Sequence, residues 1–233
     1  MKLARPFLIF LNPLYALITW LRNVFFDIGL LQSTWFNHPV IVIGNLSTGG
    51  TGKTPHTEFL IKQLKNDYKL AVLSRGYGRK SRGYQEAGLL PLANLVGDEP
   101  AQIKQKFQDI TVAVDANRVA GIKRLLAKKN KPEVVLLDDA FQHRWLEAGY
   151  YILLTPYQQP YTRDFLLPAG NLRELRAGAS RAHCIIVTKC PEDLGKPEMD
   201  ALIAELNPLS HQDVFFTTIK YAQPVGSLFD INA

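Results

Sequence analysis

The sequence predicts an α/β protein built on a doubly wound, mostly parallel sheet, and three observations predict it. Short apolar runs alternate with helical patterns along the chain. One run, Val40-Ile41-Val42-Ile43, leads directly into a loop rich in glycine and hydroxyl side chains. Another, Val134-Val135-Leu136-Leu137, ends in the acidic pair Asp138-Asp139.

The first run is apolar at every position, which fits a central parallel strand covered on both faces rather than one alternating between core and water. Helical periodicity follows in Phe59, Leu60 and Leu64. Leu70-Ala71-Val72-Leu73 repeats the strand signal, and Gly97-Asp98-Glu99-Pro100 opens a helix with Ile103 and Phe107 on one face. Residues 110–114 read as a strand, residues 117–127 as a helix, and residues 151–154 and 184–187 as later strands. The chain contains 47% hydrophobic and 21% charged residues and no internal repeat, which excludes a solenoid and large-scale disorder.

The formal net charge of +6 favours an anionic partner: a nucleotide, a phosphorylated substrate, an acidic membrane surface or nucleic acid. Arg75, Arg79, Lys80 and Arg82 form the densest basic stretch. A solvated basic loop explains them without a ligand, and nucleic-acid binding has no other support, so no nucleic-acid partner is expected. The two cysteines, Cys184 and Cys190, have neither redox nor zinc-knuckle spacing. Cys184 lies in an apolar run as a buried reduced thiol, in keeping with a cytoplasmic compartment.

The amino terminus is the anomaly in composition. No charged side chain occurs from Pro6 to Leu21, Lys2 and Arg5 precede that stretch, and Arg22 and Asp27 interrupt it. It has no small-residue cleavage site, and with Pro13 inside it falls short of the ~20 apolar residues that span a bilayer. With Trp20, Phe25, Phe26, Ile28, Leu30 and Leu31 it suits a helix, or a helix pair, lying in a membrane interface; packing on the protein's own core is the competing account. The expected organisation is thus a membrane-associating helical segment over residues 1–31 and a second unit over residues 32–233.

The loop Ser47-Thr48-Gly49-Gly50-Thr51-Gly52-Lys53-Thr54 matches the phosphate-loop pattern G-x-x-x-x-G-K-[ST] except at its first position, where serine replaces glycine. Small residues let consecutive backbone N–H groups turn toward an anion, and the following helix presents its positive end. Lys53 is placed to reach the β- and γ-phosphates of ATP and Thr54 to hold Mg2+, which makes the fold P-loop NTPase-like. Asp138 and Asp139 emerge at a strand end where open α/β sheets bind ligands, one suited to magnesium and the other to a proton or the substrate; a helix N-cap would explain either alone. Gln142, His143 and Arg144 follow as a possible substrate-contacting surface. Asp98 is a candidate for the carboxylate that a kinase keeps near its acceptor hydroxyl, although helix capping also accounts for an acid there.

Five ordered motifs then carry a resemblance. Gly44-Asn45-Leu46-Ser47-Thr48-Gly49-Gly50-Thr51-Gly52-Lys53-Thr54-Pro55, Ser74-Arg75-Gly76-Tyr77-Gly78-Arg79, Gly97-Asp98-Glu99-Pro100, Asp138-Asp139-Ala140-Phe141-Gln142-His143-Arg144 and Leu167-Pro168-Ala169-Gly170-Asn171-Leu172-Arg173-Glu174 resemble the tetraacyldisaccharide 4'-kinase family of lipid A biosynthesis. The resemblance implies ATP- and magnesium-dependent phosphorylation of the 4'-hydroxyl of an acylated glucosamine disaccharide 1-phosphate. It implies a monotopic enzyme on the cytoplasmic face of the bacterial inner membrane, in contact with the membrane surface. It further implies Asp98 as base, Asp138 and Asp139 as metal and catalytic groups, and His143, Arg118, Arg173 and Glu174 near phosphates or acceptor.

Ala140 stands where the family often has glycine. Members of the family continue into a carboxy-terminal lobe whose histidine assists the base, whereas this sequence stops at Ala233; the expectation is a chain truncated relative to them. A P-loop kinase of a soluble acceptor and a nucleotide-dependent membrane switch without turnover remain the alternatives.

Overall fold

The structure, a computed structural model, describes Phe10 and residues 12–220. Most of the apolar run before Asn12, and the end of the chain at Ala233, lie outside the described residues. The strands are β1 (Thr34–Trp35), β2 (Val40–Gly44), β3 (Leu70–Ser74), β4 (Gln85–Glu86), β5 (Thr111–Val114), β6 (Val134–Asp138), β7 (Leu146–Glu147), β8 (Tyr150–Pro156), β9 (Cys184–Thr188) and β10 (Asp213–Phe216). The helices are α1 (Asn12–Asp27), α2 (Lys53–Leu64), α3 (Ala93–Val96), α4 (Asp98–Lys106), α5 (Arg118–Leu126) and α6 (Lys196–Leu206).

Eight strands form one sheet in the order β10-β9-β8-β2-β6-β3-β5-β4. All neighbours are parallel except β4 against β5. The period of two sorts the side chains. Val40, Val42, Val135 and Leu137 face a core closed by Ile122 and Leu125 of α5 and Leu202 and Leu206 of α6. Val134 and Leu136 face the opposite core, with Ile61 of α2 and Ile103 of α4. Both faces are therefore covered, as the unbroken apolar runs predict.

From β2 the chain crosses over the position of β6 to reach β3, and β8, β9 and β10 later extend the sheet on the other side. The carboxyl ends of β2, β6 and β3 thus meet at a topological switch point, where this architecture opens a crevice. β10 and α6 have no counterpart in the sequence reading. In β10, Val214 and Phe216 pack on the core while Phe215 is exposed, and an edge strand exposed on alternate residues gives a weak signal.

Helix α1 inverts the usual amphipathic arrangement. Its polar groups face the protein: Tyr15 donates to the Arg173 carbonyl at 2.8 Å, Arg22 to the Gln142 carbonyl, and Asn23 to Glu174 at 3.3 Å. Phe26 is buried and meets Trp145 edge to face. Leu14, Leu17, Ile18 and Trp20 are exposed. Among the described residues no helix is long and apolar enough to cross a membrane.

Candidate nucleotide and phosphoryl-transfer site

The loop between β2 and α2 turns through left-handed backbone at Gly49 (φ 115°) and Gly52 (φ 88°), conformations in which a side chain is strained. Neighbouring elements hold it. Thr188, at the end of β9, donates its hydroxyl to the Thr51 carbonyl at 2.8 Å, and Lys189 Nζ donates to the Gly50 carbonyl at 2.6 Å. The departure at Ser47 has a structural setting, because Ser47 bridges Leu172 and the Thr48 N–H donates to the Asn171 carbonyl at 2.7 Å. Helix α2 begins at Lys53, so its positive end points into the loop.

Lys53 Nζ donates to Asn45 Oδ1 at 3.2 Å and lies 3.8 Å from Asp139 Oδ1. Adjacent strand residues should face opposite ways, yet Asp138 and Asp139 both serve the site because Asp139 adopts left-handed backbone (φ 50°) as β6 ends. Neither caps a helix. Asp138 is fully buried and accepts from Thr57 of α2 at 3.3 Å. Burial, with the negative charges of Glu99 and Asp139, pushes its carboxyl up to about 7. Asp139 has the opposite fate: burial alone would raise it, but the Arg173 fork, Lys53 and Arg118 hold it below the carboxylate range. Arg173 donates to both its oxygens, at 2.8 and 3.2 Å, and to Asn45 Oδ1 at 2.6 Å.

Behind Arg173 lies a second charged layer. Glu174 is buried, accepts from Arg181 through both oxygens at 2.8 Å, and accepts from Gln142 Nε2 at 3.2 Å; Gln142 also donates to the Asn45 carbonyl at 2.6 Å. Replacing Glu174 with alanine should destabilise the protein by about 3 kcal/mol, since it leaves Arg181 partly buried without its carboxylate. Urea unfolding measures this, and a change below ~1 kcal/mol would show the pair to be replaceable.

The other wall comes from Arg75, Tyr77 and the start of α4. Gly97 (φ 94°) lies so close to the Tyr77 carbonyl that a Cβ would approach within 2.8 Å, which locks the two motifs together. Asp98 and Glu99 are exposed at the first turn of α4, and Thr54 donates to Glu99 Oε1 at 3.4 Å. The result is a cleft of 570 Å³ lined by Ser47, Thr48, Gly49 and Lys53, by Arg75 and Tyr77, by Asp98 and Glu99, and by Asp139 and Arg173.

All five sequence motifs therefore contribute to one site, but Gly50, Thr51, Gly52, Thr54 and the buried Asp138 are not among the residues that line the cleft, and neither are Gln142, Glu174, Arg118 and His143. Gln142 and Glu174 form the supporting layer just described. Arg118 is buried behind Asp139, whose carbonyl it meets at 3.3 Å; burial and the nearby Arg75 charge lower its pKa to about 10. His143 lines a separate cavity of 540 Å³ with Gln32, Asn117 and Trp145, and its buried Nε2 has no hydrogen-bond partner among the described residues. Burial and the charges of Arg118, Arg22 and Arg75 lower His143 to about 4, so it is neutral at pH 7 and no acid there. Asn45 and Glu99, in turn, belong to the site although sequence alone gives them no role; each stands within one of the five motifs, beside residues of more recognisable chemistry.

Thr54 and Glu99 meet at 3.4 Å, and the Glu99 charge acts on the buried Asp138 carboxyl; oxygen donors of this kind suit a hard cation such as magnesium, which these residues would help to hold. Among the described residues no three His, Cys, Asp or Glu side chains converge on one metal position. Such an ion would complete its shell with phosphate oxygens and water.

Strand, phosphate loop, helix and acidic strand end define an α/β protein of the P-loop nucleotide-binding class. The family described as Tetraacyldisaccharide-1-P 4'-kinase matches residues 4–223, and the chain belongs to it. It is 53% identical over 221 residues to a Tetraacyldisaccharide 4'-kinase of Flavobacterium johnsoniae, which covers 95% of this chain and 65% of that protein. A Bacteroides thetaiotaomicron protein of the same name is 51% identical over 215 residues, covering 91% and 57% respectively. The chain thus spans less than two thirds of the length of these relatives. Among solved structures, LpxK from Aquifex aeolicus in complex with ATP superimposes with a TM-score of 0.73 at 29% identity, over 93% of this chain and 82% of that one.

Proposed function

We propose that this chain binds ATP and magnesium in the 570 Å³ cleft and transfers the γ-phosphoryl group to the 4'-hydroxyl of a tetraacylated glucosamine disaccharide 1-phosphate. The reaction belongs at the cytoplasmic face of the bacterial inner membrane. One observation carries this reading beyond a generic P-loop kinase: α1 seats its polar side on the cleft's back wall and turns Leu14, Leu17 and Ile18 outward. A soluble acceptor gives no reason to keep such a surface beside the site, whereas an acyl-chain-bearing acceptor does.

In this reading the loop amides and the end of α2 hold the β-phosphate, and Lys53 leaves Asp139 for the β/γ oxygens. Arg173 steadies the γ-phosphoryl group. Asp98 takes the proton of the 4'-hydroxyl as its oxygen bonds to phosphorus and the bond to the β-phosphate oxygen breaks, releasing ADP. Magnesium, when bound, neutralises charge on the transferring phosphates. Asp139 orients Lys53 and Arg173, and Asp138, Thr54 and Glu99 would supply oxygens to the ion. Residues 1–31 act as the membrane-associating segment and residues 32–233 as the kinase unit.

Asp98→Asn should lower kcat about a hundredfold, at the lower end of what a general base contributes, with the KM for ATP nearly unchanged. Transfer of radiolabelled γ-phosphate into the disaccharide lipid measures this. Equal loss of ATP affinity and turnover would instead make Asp98 a helix-capping residue, and absence of label in lipid with the wild-type chain would remove the proposed acceptor.

A further inference from the structure

Residues 76–82 and 89–97 form one projecting unit on the wall of the cleft that carries Tyr77. The Lys80 N–H donates to the Asn94 carbonyl at 2.7 Å, the Ser81 hydroxyl bonds the Leu95 carbonyl, and Gly97 packs on the backbone of Gly76 and Tyr77. This well-tied unit holds its large apolar side chains away from the protein. Leu90 is 91% exposed, Tyr77 88% and Leu89 72%, with Leu92 and Leu95 exposed beside them. Single exposed leucines are ordinary, but four between positions 89 and 95 of a hydrogen-bonded loop make a surface suited to a partner.

The charges around it narrow the partner. Lys80 and Arg82 are exposed and have no ion-pair partner among the described residues. The nearby acid Glu86 is already paired with Lys128 at 2.6 Å, while Arg79 is tied to the Gly83 carbonyl at 2.7 Å. Long apolar side chains beside unpaired cations match a surface that is apolar within and anionic at its rim.

We propose that this unit is a second membrane contact, which places Leu89 and Leu90 among acyl chains and sets Lys80 and Arg82 against lipid phosphates. It rests on the proposal that the acceptor is borne on a lipid surface. Helix α1 seats on the Arg173 wall and this unit carries the Tyr77 wall, so contact through both would bring the cleft between them to the headgroups.

Flotation of the full chain with phosphatidylcholine vesicles, with and without phosphatidylglycerol, tests it. Leu89→Asn with Leu90→Asn should lower vesicle partitioning about tenfold, because two leucines no longer leave water. Lys80→Gln with Arg82→Gln should remove the dependence on phosphatidylglycerol, and a fluorophore on Leu90→Cys should shift to the blue with vesicles. Cys184 and Cys190 are buried, which directs the label to position 90.

If the wild-type chain does not bind vesicles, the lipid-surface reading fails and this one with it. If Leu17→Asn with Ile18→Asn on α1 abolishes binding while the Leu89 and Leu90 variant binds normally, this proposal alone is overturned. A blue shift that appears without vesicles and grows with protein concentration would assign the patch to a second copy of the chain and also overturn it.

Discussion

Lys53→Ala is expected to lower phosphoryl transfer by at least ~10³-fold while leaving the fold intact, since the charge that stabilises the transferring phosphates in a dry cleft is removed. The structure explains why the fold should survive. Lys53 sits 3.8 Å from Asp139, but Arg173 already grips both oxygens of that carboxylate, and Asn45 keeps its bonds to Arg173 and to the Ser47 carbonyl. Loss of the ammonium strands no partner, so the melting temperature should move by only a few degrees. Single-turnover transfer and a circular-dichroism melt on the same sample separate the two effects. Turnover within tenfold of wild type would end the assignment of the loop as the phosphate site.

The same residues show what a sequence can reveal and where it stops. Strands β2, β3 and β6 were legible because burial on both faces leaves an unbroken apolar run. The loop was legible because an anion nest admits few residue types. β10 and α6 were not: an edge strand with exposed Phe215, and a helix burying only Leu202 and Leu206, imprint little periodicity. Within the site, sequence adjacency misleads. Arg173 enters the cleft whereas Glu174, its neighbour, turns to Arg181 behind it. Asp138 and Asp139 share the site only because Asp139 takes a left-handed backbone, which no residue pattern announces. The inversion of α1 was invisible too, because composition shows that an apolar segment exists but not which side docks.

Asp138 provides the second large effect, on activity and stability in opposite directions. Its carboxyl titrates near 3.8 in an unfolded chain but is pushed up to about 7 in the folded one, first by burial and then by Glu99 and Asp139. Between those values the folded state holds a proton that the unfolded state has released, so stability from this group is full below about pH 4 and is lost as pH rises through about 7. At pH 8 the nucleotide-free protein therefore carries a buried charge that opposes folding. Asp138→Asn keeps the shape, and its amide oxygen can still accept the Thr57 hydroxyl, yet no charge is buried. The variant should be more stable than wild type at pH 8 by about 1–3 kcal/mol, and the gain should vanish toward pH 4. Transfer should nevertheless fall about 10²- to 10³-fold, because the oxygen that makes the site receptive to a cation is weakened. Saturating magnesium nucleotide should accordingly raise the wild-type melting temperature at pH 8 more than that of the variant. Thermal melts at both pH values, with and without nucleotide, decide the matter. A variant no more stable than wild type at pH 8, or equally stabilised at pH 4, would show that Asp138 is not held under electrostatic tension. The expected pattern would instead identify that tension as the cost of keeping a carboxylate where a cation is to bind.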